Sequence, residues 1–83
     1  GATWRKRAHV RGQVTSVLSS PMSTSPRVTI EIWDETGGIN LEFIGRREIS
    51  GLEVGSVICA EGMVGESDGS LTILNPSYEI VIS

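Results

Sequence analysis

Two runs of strict alternation meet across a short turn. Arg27-Val28-Thr29-Ile30-Glu31-Ile32-Trp33 leads through Glu35-Thr36-Gly37-Gly38 into Ile39-Asn40-Leu41-Glu42-Phe43-Ile44. A period of two is the signature of a strand with one buried face. A glycine-bearing turn of this length leaves no room for a crossover, so the two runs form an antiparallel hairpin. Its core face is Val28, Ile30, Ile32, Ile39, Leu41 and Phe43, and its outer face is Arg27, Thr29, Glu31, Trp33, Asn40, Glu42 and Ile44.

The remaining chain is read against that hairpin. Val10, Gly12 and Val14 alternate with Arg11, Gln13 and Thr15, and Val17-Leu18 follows, which predicts a long first strand whose glycine marks a bulge or sharp bend. Residues 19–26 form a polar loop with two prolines. Gly45 to Gly55 is too short and glycine-flanked for a long helix. It predicts a helical or 3₁₀ turn that packs Ile49 and Leu52 onto the end of the sheet. Ser56 to Glu66 predicts a fourth strand with Ile58, Ala60, Gly62 and Val64 on one face. An Asp68-Gly69 turn then leads to a fifth strand, Leu71–Leu74, which Asn75-Pro76 interrupts before Tyr78–Ile82 continues it.

With 83 residues there is room for one small core and no second lobe. Five strands with a bent first member are best satisfied by closure, which removes the exposed edges of a flat sheet. The expected fold is therefore all-β, a five-stranded OB-fold barrel (oligonucleotide/oligosaccharide-binding) with a short helical turn between strands three and four. Residues 1–8 are expected as a basic arm and 9–83 as the domain.

Several motifs carry a family resemblance. Trp4-Arg5-Lys6-Arg7-Ala8, Asp34-Glu35-Thr36-Gly37-Gly38, Phe43-Ile44-Gly45-Arg46-Arg47, Ile49-Ser50-Gly51-Leu52, Glu61-Gly62-Met63-Val64 and Asn75-Pro76-Ser77-Tyr78-Glu79 occur in that order. Together they resemble the small bacterial, mainly actinobacterial, OB-fold nucleic-acid-binding domain proteins. The Asp-x-Thr-Gly turn, the glycine before strand four and the Asn-Pro-x-Tyr-Glu ending are also similar to the wedge domain of the bacterial branch-migrating DNA helicase. The resemblance implies a binding face on strands two and three, flanked by the loops at 19–26 and 66–70.

Charge is unevenly distributed along the chain. Residues 1–30 hold Arg5, Lys6, Arg7, Arg11 and Arg27 and no acid. Residues 31–83 set Arg46 and Arg47 against ten acids, within a net charge of −3. A phosphate partner responds to a local patch, because screening at physiological salt acts over about 8 Å. Arg5, Lys6, Arg7, Arg11, Arg27, Arg46 and Arg47 are the candidate phosphate contacts, and Trp33 is the candidate platform for an unstacked base. Glu31 and Glu42 on the same face oppose phosphate, so the expected binding is weak. The bland alternatives are solvated arginines, a Trp33 that covers the barrel end, a Trp4 that staples the arm, and a Tyr78 that packs. A larger protein partner docking on the barrel is the second functional reading.

One histidine and one cysteine supply neither a base–nucleophile pair nor a zinc set. No glycine-rich nucleotide loop is present, so no enzymatic activity and no cofactor are expected. The single Cys59 points to a reducing cytoplasm. No apolar run approaches the roughly 20 residues of a membrane span.

Overall fold

The alternating runs form strands in a computed structural model, which describes residues 6–20, 24–35, 37–46, 49–67 and 69–82. The order is β1 (Lys6–Ser19), β2 (Arg27–Asp34), β3 (Gly37–Ile44), β4 (Val57–Ser67), β5 (Ser70–Leu74) and β6 (Ser77–Ile82). Strands β1-β2-β3-β5-β4 are hydrogen-bonded in sequence around a ring, and a β1–β4 pairing closes it. All joins are antiparallel except β3–β5, which is parallel over Asn40–Glu42 and Thr72–Leu74. The molecule is all-β and barrel-like.

Closure depends on β1 changing partners part-way along. Lys6 to Gln13 pair with Val64 to Val57 of β4, and Gln13 to Ser19 pair with Trp33 to Val28 of β2. The exchange falls beside Gly12, where an added Cβ would stand 2.8 Å from the Trp33 carbonyl oxygen. Only a residue without a side chain permits the strands to approach so closely. The register then shifts between Val14 and Ser16, which leaves Thr15 as a bulge that adds bend. Lys6, Arg7 and Ala8 are part of this strand, so the domain takes in three residues expected in the arm.

The hairpin has the expected register, with Ile30 opposite Leu41, Ile32 opposite Ile39 and Val28 opposite Phe43. These side chains join Val14, Ile49, Ile58, Ala60 and Ile73 in one core. Phe43 meets Tyr78 edge to face, with centroids 5.5 Å apart at 81°, so Tyr78 has the packing role.

The segment after β3 departs from expectation. No helix occurs among the described residues. Ile49 to Ser56 instead makes two successive turns, closed by Leu52 N–H donating to the Ile49 carbonyl and Ser56 N–H donating to the Glu53 carbonyl. Gly51 (φ 76°) and Gly55 (φ 98°) hold the third position of each. A positive φ there belongs to a type II turn and is incompatible with a right-handed helix. The packing role survives, because Ile49 is buried and Leu52 lies against the core. The segment is tied to the bend of β1 by Val14 N–H donating to the Ser56 carbonyl (2.8 Å) and Gly55 N–H donating to the Val14 carbonyl (2.9 Å).

The break at Asn75-Pro76 divides the last strand in two, so that β5 and β6 run in line along β4. Asn75 takes a positive φ of 47°. Its N–H donates to the Glu42 carbonyl (2.6 Å), and its Oδ1 accepts from Ile44 N–H (2.8 Å). The break thus fastens the end of β3.

Gly12→Ala is expected to lower unfolding free energy by about 1–3 kcal/mol, since the new methyl forces β1 and β2 apart. Ile30→Ala is expected to cost about 2–5 kcal/mol through a core cavity. Urea denaturation followed by circular dichroism measures both.

Candidate nucleic-acid interface

The outer face of β2 and β3 is built by the same alternation that fills the core. Arg27, Thr29, Glu31 and Trp33 on β2 stand outward with Asn40, Glu42 and Ile44 on β3. Leu18 of β1, Thr29, Glu42 and Leu74 of β5 form one transverse row.

Trp33 is opposite Gly38 in the β2–β3 register. A Cβ built on Gly38 would lie 2.7 Å from Cε2 and 2.9 Å from Cζ2 of the indole, so the ring lies across the glycine. Laying an aromatic over a strand glycine replaces the packing that the glycine lacks. The other side of the indole is open to solvent, and the residue is 49% exposed. Trp33 therefore both covers part of the sheet and presents a free aromatic surface. Beside it, Glu31, Gly38, Asn40, Gly69 and Ser70 line a depression of ≈ 280 Å³. On its other flank Arg11, Gln13, Asp34 and Glu35 line a second depression.

The candidate cations among the described residues are dispersed rather than convergent. Arg27 Nη1 donates to Glu42 Oε1 at 2.7 Å, and Arg7 Nη2 donates to Glu61 Oε1 at 3.1 Å. Arg11 is exposed on the outside of β1, near Asp34. Lys6 lines a mainly apolar depression with Ala8, Val10 and Leu71. Arg46 is exposed just beyond β3. Arg27 and Trp33 are six residues apart on β2, or about 20 Å. Arg5 and Arg47, together with Trp4, lie outside the described residues. Trp33 and Arg11 thus belong to one end of the face, and Arg27 and Arg46 to the other.

The sequence read Glu42 as repelling phosphate, whereas here it holds Arg27. Glu31 likewise has a partner, because Thr15 Oγ1 donates to its Oε1 at 2.9 Å. Gly38 was legible only as a turn residue, and its role beneath Trp33 follows from the cross-strand register. On a different face, His9, Cys59, Glu61 and Glu79 line a further depression. Among the described residues no three His, Cys, Asp or Glu side chains are set to hold a metal ion. Among the same residues no helix is long and apolar enough to cross a membrane.

No protein-family model matches this chain, and no curated protein sequence matches it.

Gly38→Ala is expected to lift the indole off the sheet. In a Trp4→Phe background this should shift Trp33 emission to the red and increase iodide quenching; unchanged emission and quenching would contradict the placement of the indole on Gly38. Glu42→Ala is expected to lower unfolding free energy by less than about 1 kcal/mol, the usual size for a pair this accessible.

Proposed function

We propose that this chain is an OB-fold domain of a bacterial cytoplasm that binds single-stranded or distorted DNA or RNA weakly and performs no catalysis. The observation that carries the reading is the Trp33 indole, laid across Gly38 with its outer surface free on the β2–β3 face. Base–aromatic stacking tolerates any sequence, because every base has a π-face. The ring order β1-β2-β3-β5-β4, closed back on β1, supports the fold assignment.

The charge arrangement supports weak affinity. Lys6, Arg11 and Arg46 make no ion pair among the described residues, so they are the readiest phosphate contacts. Arg7 and Arg27 must first leave Glu61 and Glu42. Arg5 and Arg47 complete the set on sequence grounds. Carboxylates within the face keep net phosphate attraction low.

A second reading rests on a separate observation. Leu18, Ile44 and Leu74 are exposed apolar residues grouped around the Arg27–Glu42 pair at the end of the face away from Trp33. Such a surface suits a protein docking on the barrel. Pull-down from lysate with and without nuclease separates the readings, because a protein dock survives nuclease.

Titration of labelled single-stranded DNA and RNA tests the first reading. Trp33→Ala is expected to weaken binding by about 1–3 kcal/mol. Glu42→Gln frees Arg27, so it is expected to tighten binding at low salt and to steepen the log–log salt slope by about 0.7. Absence of binding at low salt would overturn the proposal.

A further inference from the structure

The geometry points to a base-selective position beside Trp33 that takes guanine, an inference resting on the nucleic-acid reading above. Glu31 precedes Trp33 by two residues on β2, so the two side chains rise from the same face about 7 Å apart along the strand. Asn40 stands directly opposite Glu31 on β3, as Gly38 stands opposite Trp33. Because the indole lies across the sheet, a base stacked on its free side is raised above the strands. There its edge faces the tips of Glu31 and Asn40 rather than the backbone. The adjoining depression is lined by both residues and by Ser70.

The Glu31 carboxylate is held in place. The β1 bulge leaves Thr15 out of register, and the Thr15 hydroxyl donates to Glu31 Oε1 at 2.9 Å. Bulges commonly re-aim a side chain in this way. Oε1 keeps a further lone pair beside this bond, so it and the second oxygen can accept from a ligand together. A carboxylate accepts hydrogen bonds and repels phosphate, so it selects the base edge, and among bases it favours adjacent donors. Guanine alone offers N1–H and N2–H side by side. Cytosine and adenine set their amino group beside a ring-nitrogen acceptor, and thymine and uracil set N3–H between two carbonyls. Asn40 carries amide donors that can meet guanine O6. Arg11 and Gln13, on the opposite flank of Trp33, are placed toward the strand's backbone.

The test measures binding of short dT strands carrying one central dG, dC or dA, by fluorescence anisotropy at low salt. The dG strand is expected to bind about 5- to 100-fold tighter than all-dT, the range for a bidentate base contact. Glu31→Gln should bring the dG and dT strands to parity, and Thr15→Val, which keeps the side-chain shape, should reduce the preference. Matching circular dichroism spectra establish that these variants fold. Trp33→Ala should weaken all four strands, the dG strand most, because the platform that lifts the base to Glu31 is gone. A dG/dT ratio near one, or a ratio unchanged in Glu31→Gln while Trp33→Ala still weakens every strand, overturns the guanine site and leaves the general reading standing. Absence of binding to any strand removes both.

Discussion

The structure depends on one strand being able to pair on two sides of a corner. β1 must lie against β4 over its first half and β2 over its second, or the five strands remain an open sheet with long free edges. Gly12 allows the close approach at the exchange, and the bulge at Thr15 supplies the bend. The turns at 49–56 bind to Val14 at the same corner, so the core is sealed where the strand changes partner. The bend also serves the face, because the residue that it displaces is the one that positions the Glu31 carboxylate.

That face is a compromise between opposite demands. Phosphate attraction asks for free cations, yet Arg7 and Arg27 are held by carboxylates, and Arg11 and Arg46 stand at opposite ends of the face. Base contact asks for an exposed aromatic, and among the described residues Trp33 provides one. Leu18, Ile44 and Leu74 lie at the other end, around Arg27 and Glu42.

Much of the fold was legible because period-two alternation is a direct imprint of burial. Every core position of the hairpin, the inward class of β4 and the interruption at Asn75-Pro76 could be read from residue types. The helical turn could not be settled that way. Glycines 51 and 55 flank apolar residues much as helix-end glycines do, and only their positive φ shows a pair of turns. The bend was traced to Gly12, but the bulge lies three residues on, where no distinctive residue marks it. The site was less legible than the core. Both ion pairs join residues that are diagonal, not opposite, in the registers, and the placement of Trp33 over Gly38 required the turn geometry first. A row of outward residues can be written down from parity, but which of its charges are already satisfied depends on side-chain reach across a twisted sheet.

Chemical-shift mapping of the ¹⁵N-labelled protein with a short single-stranded oligonucleotide tests the central claim most directly. The account predicts that the largest changes fall on the Trp33 indole and on the amides of Glu31, Gly38, Asn40 and Ser70. Changes confined to the outer surface of β4 and β6, or none at low salt, would contradict it.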